Sequence, residues 1–245
     1  MASIELRDVS VSFPIFGTHT ASLRRTFAST VTGGRIGTDT GVTIVEALRD
    51  ITLELRDGDR LGVVGHNGAG KTTLLRTMAG VYPPQGGSCT RRGRVSSLIE
   101  PAQDIEPEAT GYENIEMWGV LKGLSRAEIR QLLPDITEFS GLGDYLSMPV
   151  RTYSTGMLMR LAFAITTSVP ADILLMDEWL AVGDADFKQQ AERRLREVID
   201  RTGILVLASH SPELIARECN RVIELSHGWL VRDGRLDPRP QSAGA

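Results

Sequence analysis

Residues Gly65-His66-Asn67-Gly68-Ala69-Gly70-Lys71-Thr72 satisfy the pattern G-x-x-x-x-G-K-[ST], and their flanks fit such a loop. Arg60–Val64 is a short apolar strand leading in, and Lys71–Ala79 places Leu74, Leu75 and Met78 on one helical face. Strand, glycine loop and helix in this order make a phosphate cradle. The glycines let the backbone curl until successive N–H groups point at phosphate oxygens, and the helix adds its positive end. In this reading Gly65, His66, Asn67, Gly68, Ala69, Gly70 and Thr73 line the cradle. Lys71 reaches the β- and γ-phosphates, and the Thr72 hydroxyl ligates magnesium. A chain so built is expected to bind a magnesium–nucleoside triphosphate and to hydrolyse it.

The rest of the pattern is α/β. Ile173–Met176 and Ile204–Ala208 are apolar runs separated by a helical stretch, Ala185–Arg201, as in a parallel sheet covered on both faces. Ile4–Val11 and Leu48–Leu55 alternate like half-buried strands, and two more short strands are expected near 87–90 and 94–99. From Gly111 to Ser140 the period is helical. Ser125 caps Arg126–Leu133, and Pro134 should kink or end that helix. Gly156–Ser168 reads as a further helix. Residues 14–43 break the rhythm with Gly17, Gly33, Gly34, Gly37 and Gly41, leaving one helical candidate at 22–28.

Three further places carry chemistry. Asp177 and Glu178 stand at the tip of the apolar strand Ile173–Met176, at the sheet edge where α/β proteins bind ligands. Asp177 would hold magnesium, and Glu178 would orient or deprotonate the attacking water. His210 follows the next apolar strand at the same edge and could contact the γ-phosphate. Tyr153-Ser154-Thr155-Gly156-Met157 opens a helix and forms a second phosphate cradle, unless Ser154 is a simple N-cap. One triphosphate rarely needs two cradles. A head-to-tail dimer would use the second one by closing it over the partner copy's nucleotide.

Composition excludes several classes. A formal charge of −4 over 245 residues gives no basic footprint for nucleic acid. No apolar run approaches the ~18–20 residues that span a bilayer, and the N-terminus has no signal-peptide pattern. Cys89 and Cys219 stand too far apart in sequence for a zinc motif and suggest a reduced compartment. The lysines are Lys71, Lys122 and Lys188, so the Asn-Lys-x-Asp guanine reader of regulatory GTPases does not occur.

With these motifs in order, the chain resembles the ATP-binding cassette (ABC) family over roughly residues 2–234. The P-loop lies at 65–73, the signature at 153–157 and Walker B at 173–178. Val182-Gly183-Asp184-Ala185 stands in the D-loop place and Ser209-His210 in the switch-histidine place. It looks most like the nucleotide-binding subunits of bacterial polysaccharide exporters, which handle O-antigen, galactan, teichoic acid and related polymers. That narrower resemblance rests on Gly65–Lys71, Pro107–Ile115, Arg151–Met157 and Asp177–Asp184.

The resemblance implies a P-loop NTPase fold: a parallel core sheet, an antiparallel β subdomain and a helical subdomain at about 104–168. It implies ATP and Mg2+ as ligands, and a homodimer in which Ser154, Thr155, Gly156 and Asp184 meet the nucleotide. It also implies docking on integral-membrane permease subunits at the cytoplasmic face of the bacterial plasma membrane, with the lipid-linked polysaccharide handled through the permease. The signature departs from Leu-Ser-Gly-Gly-Gln, although Thr155 and Met157 suit the exporter group. The Q-loop glutamine is missing; Glu100, which would reach the metal, is the better candidate and Gln103 the weaker. Phe13 fits the adenine-stacking place best, with Phe16 an alternative. The 14–43 insertion is expected near the permease, where it would help polymer enter. Residues 235–245 form a short polar tail, so no C-terminal carbohydrate-binding domain is expected. A cassette serving another transported substrate is the alternative, as is a non-transport ABC ATPase. The latter class usually needs long coiled-coil insertions or two cassettes in one chain, and neither occurs here.

Overall fold

The computed structural model describes residues 1–15, 36–39, 42–178 and 185–236. Its first sheet is antiparallel, in the order β2–β3–β1–β5. These strands are β1 (Ser3–Ile15), β2 (Ile36–Asp39), β3 (Val42–Arg56) and β5 (Gly86–Arg92). Strand β1 buries Ile4 and Leu6, then Val9 and Val11, so its inward positions change parity part-way along. The register slips between Leu6 and Val9, where Asp8 adopts a positive φ of 48°. The extra residue of a bulge thus returns Val9 to the core face. Asp50, at φ 47°, occupies the matching slip in β3 between Leu48 and Ile51.

Pairing of β1 with β3 continues to Ile15↔Thr43, and β2 adds to the edge of β3 through Ile36↔Val45. The ends of the 14–43 stretch therefore extend this sheet, Gly37 included. The helical candidate at 22–28 lies outside the described residues.

The second sheet runs β10–β9–β4–β8–β7–β6. Strands β4 (Arg60–Val64), β6 (Val95–Leu98), β7 (Ile173–Asp177), β8 (Ile204–Ala208) and β9 (Arg221–Ser226) are parallel. The edge strand β10 (Trp229–Arg235) is antiparallel to β9. Alternation along a strand explains the two cores on either side. Ile173, Leu175, Ile204 and Val206 face the first sheet and helix α1 (Lys71–Ala79). Leu174, Met176, Leu205 and Leu207 face Phe163 and the apolar side of α5 (Ala185–Arg201), which presents Phe187, Leu195 and Ile199.

A third cluster joins helices α2 (Gly111–Leu121), α3 (Arg126–Ser140) and α4 (Thr155–Ser168) through Ile115, Trp118, Ile129, Ile136, Leu161 and Ile165. Capping boxes start α2 (Thr110 with Glu113) and α3 (Ser125 with Glu128), satisfying otherwise orphaned first-turn N–H groups. Of the two outcomes expected at Pro134, a kink or an end, the end does not occur; the helix runs on to Ser140. Ile129 and Ile136 are buried on either side of the proline, and Arg194 of α5 pairs with Asp135 and lies over Phe139 at 4.4 Å. Packing and this ion pair outweigh the one helical hydrogen bond that proline removes. The last short helix is α6 (Pro212–Glu218). No helix among the described residues is long and apolar enough to cross a membrane.

Candidate nucleotide-binding site

Strand β4, its centre buried on both faces, delivers the chain to Gly65, where the glycine loop begins. Gly70 closes the loop at φ 107°, and a Cβ there would stand 2.6 Å from the Ala47 carbonyl oxygen. Only glycine fits a left-handed backbone this close to a neighbouring strand. No side chain caps α1, so the N–H groups of its first turn face the loop's hollow with the positive end of the helix behind them.

Lys71 is 8% exposed. Its Nζ donates to the carbonyls of Gly65 (2.7 Å) and His66 (3.2 Å) and lies 3.3 Å from Nε2 of His210. An ammonium has only donors, so Nε2 accepts and the ring proton belongs on Nδ1. In that tautomer the 3.9 Å approach of His210 Nε2 to Glu178 Oε1 is no ion pair. Burial holds the Lys71 pKa below its ordinary value, and the nearby Asp177 and Glu178 charges act in the opposite sense.

Thr72 Oγ1 donates to Asp177 Oδ2 at 2.5 Å, joining the start of α1 to the end of β7. A hydroxyl and a carboxylate oxygen side by side are the donor set that magnesium takes from a protein, so the residues fit the ion. One step on, Glu178 adopts φ 67°, unusual for a residue with a side chain. Its N–H donates to the Ala208 carbonyl at 2.9 Å. Its carboxylate accepts from Ser209 Oγ (3.2 Å) and the His210 N–H (3.1 Å). The end of β8 therefore fixes where the Glu178 carboxylate points.

These groups share one cavity of about 340 Å³. Asn67, Gly68, Gly70, Lys71, Thr72, Thr73, Asp177, Glu178 and His210 line it, joined by Val45, Glu46, Ala47 and His227. Those last four were not legible as site residues, because β3 and the β9–β10 turn reach the loop only through the tertiary fold. The His227-Gly228 pair, a hairpin-turn signal, was the one clue.

Other expected residues lie elsewhere. Phe13 pairs with Val45 in the sheet and sets its ring edge-on to Tyr82 at 5.1 Å; Val45, not Phe13, lines the cavity. His66 does not line the cavity; it donates from Nδ1 to the Asn67 carbonyl and rests against the His227 ring at 4.6 Å. Glu100 does not join Thr72 and Asp177. Arg76, one turn further along α1, holds its carboxylate at 2.5 Å while also donating to the Tyr82 hydroxyl at 2.7 Å. Glu100 and Gln103 line a different cavity, beside Arg76 and Tyr82. The carboxylate pairs with a guanidinium on another element, a pairing that sequence spacing could not reveal. Ser154 is the N-cap of α4, its Oγ accepting from the Met157 N–H at 3.2 Å. Neither it nor Thr155 or Gly156 lines the cavity of its own chain. Asp184 and Phe16 lie outside the described residues.

The model of the ABC transporter family matches residues 48–181. An O-antigen export system ATP-binding protein of Yersinia enterocolitica is 47% identical over 234 residues, covering 95% of this chain and 98% of that protein. A similarly named protein of Myxococcus xanthus is 37% identical over 96% of this chain, which spans 54% of its length. A teichoic acids export ATP-binding protein of Listeria innocua is 38% identical over 77% of this chain and 56% of its own. Among solved structures, a dimeric ATP-binding cassette in a post-hydrolysis state with ADP and phosphate superposes with a TM-score of 0.68, at 18% identity, covering 97% of this chain and 99% of that one. The glycine loop, the Thr72–Asp177 pair and the fixed Glu178 thus sit on a fold and a sequence with one common assignment: the chain belongs to the ABC transporter family.

Proposed function

We propose that this chain is the ATP-hydrolysing subunit of an exporter for a lipid-linked cell-envelope polysaccharide of O-antigen, galactan or teichoic acid type. It would act as a homodimer on permease subunits, peripherally at the cytoplasmic face of the plasma membrane. The observation that carries hydrolysis is the meeting of Lys71, Thr72, Asp177 and Glu178 in one cavity. Magnesium, when bound, supplies the positive charge that draws density from the γ-phosphate. Thr72 and Asp177 would hold it, and Lys71 and the first-turn N–H groups of α1 would bind the phosphates. Glu178 is the group that takes the proton of the attacking water. A carboxylate has about four lone-pair positions; Ser209 and His210 occupy two, leaving room for water. His210 would contact the γ-phosphate from the same edge.

The polysaccharide assignment is supported by the names of relatives at 37–47% identity. The permease contact is supported by α2, which exposes Met117, Val120 and Leu121 beside Glu106, Glu108, Glu113 and Glu116 around a hollow of about 790 Å³. An apolar patch with an acidic rim suits an apolar, basic segment of a partner. The experiment is deletion of the gene with complementation. Loss of surface polymer, its accumulation inside, and rescue by wild type but not by Glu178→Gln are the expected results. Normal surface polymer in the deletion strain would overturn the assignment.

A further inference from the structure

The phosphate-binding groups Lys71, Thr72, Asp177, Glu178 and His210 line one cavity and touch one another through the Lys71–His210, Thr72–Asp177 and His210–Glu178 contacts. With the phosphates fixed by these groups and the glycine loop, the rest of a nucleotide meets the lining residues that come from outside both, Val45, Glu46, Ala47 and His227. Of these, His227 alone brings a ring with a hydrogen-bonding nitrogen at each edge.

Its placement is held from several sides. Gly228 donates its N–H to the carbonyl of Ala69 in the glycine loop at 3.0 Å and accepts from the Arg49 N–H of β3 at 2.9 Å. A Cβ on Gly228 would stand 2.9 Å from the Ala47 carbonyl oxygen, so the β9–β10 turn lies tight against the strand that lines the cavity. His227 itself adopts φ 53°, a backbone conformation that a residue with a Cβ rarely takes. A glycine or asparagine would relieve it. His66, anchored by its bond to the Asn67 carbonyl, supports the His227 ring at 4.6 Å. An exposed ring kept in a strained turn, stapled to the phosphate loop and facing the cavity, is arranged to touch what the cavity holds.

We propose that His227 is a nucleotide-binding residue contacting the ribose–α-phosphate portion. This rests on the nucleotide reading of the cavity given above. The contact falls on the part shared by ATP and ADP, so its loss weakens both equally.

The test uses His227→Gly and His227→Asn, which both tolerate the left-handed turn, so that loss of the ring is not confused with backbone strain. Calorimetric titration of the full chain with MgATP, in the Glu178→Gln background, and with MgADP should show both affinities falling by the same factor. One lost hydrogen bond corresponds to about 3- to 10-fold. KM for MgATP should rise by more than kcat falls. Affinities unchanged in both variants would overturn the proposal, as would a loss confined to ATP, which would put the ring on the γ-phosphate. If the chain with His227 intact binds neither nucleotide, the reading of the cavity itself fails, an outcome distinct from equal binding by parent and variants.

Discussion

Glu178 combines a left-handed backbone at φ 67° with a carboxylate held by Ser209 Oγ and the His210 N–H. Such strain persists only where the surroundings over-determine it, and here both strand ends do. Glu178→Gln keeps the shape and removes the base. Phosphate release should slow by about 10²–10⁴-fold, while MgATP titration shows binding retained; normal turnover would remove Glu178 from the role. Lys71 is a different case. Burial lowers its pKa, so charging it in the fold costs stability at every pH below the folded value. That cost is relieved only as pH rises from the folded toward the unfolded value of about 10.4. Lys71→Met should therefore lose nucleotide binding yet melt at a higher temperature than wild type without nucleotide at pH 7. A lower melting temperature would mean that the bonds to Gly65 and His66 outweigh desolvation. The groups that sequence could reveal here are those set by local pattern: Lys71 and Thr72 by the loop, Asp177 and Glu178 by a strand tip. His227 and Val45–Ala47 were hidden because they arrive from elements more than 15 residues distant. The pairing of Glu100 with Arg76 was hidden for the same reason, because Arg76 lies on another element.

At the scale of elements, the apolar runs of β4, β7 and β8 were legible to within a residue, because burial on both faces leaves no polar interruption. The β1–β3 ribbon was less so, since bulges at Asp8 and Asp50 break strict alternation. Helix α3 continues past Pro134 because contacts from α4 and α5, invisible to local propensity, hold its second half. Helix α2 raises the opposite question. Its capped start and its inner residues Ile115 and Trp118 account for its stability, yet Val120 and Leu121 remain 58% and 79% exposed. Leu121→Asp removes apolar surface and adds charge to an already acidic rim. It should leave MgATP binding and melting temperature close to wild type but reduce co-purification with the permease at least about 10-fold, as loss of an interface anchor does. Undiminished co-purification would show that this face is not the contact.

For the whole molecule, the unresolved tension is between two cradles and one cavity. The glycine loop lines the cavity of its own chain, whereas Ser154–Gly156 stands at the start of α4 and does not line that cavity. A second copy placed head to tail would bring this helix start onto the partner's phosphates, completing each site with groups from both chains. Testing this requires a change that spares the local job of Ser154, which is to accept the Met157 N–H. Ser154→Asp keeps an N-cap acceptor but sets a negative charge where the partner's γ-phosphate would lie. In the Glu178→Gln background, light scattering should report a monomer that becomes a dimer on adding MgATP. The Ser154→Asp, Glu178→Gln double variant should bind MgATP with similar affinity and remain monomeric. A double variant that still dimerises would leave Ser154 as a helix cap alone. A Glu178→Gln protein that stays monomeric both alone and with its permease would overturn the sandwich, because closure would then have no second half to act on.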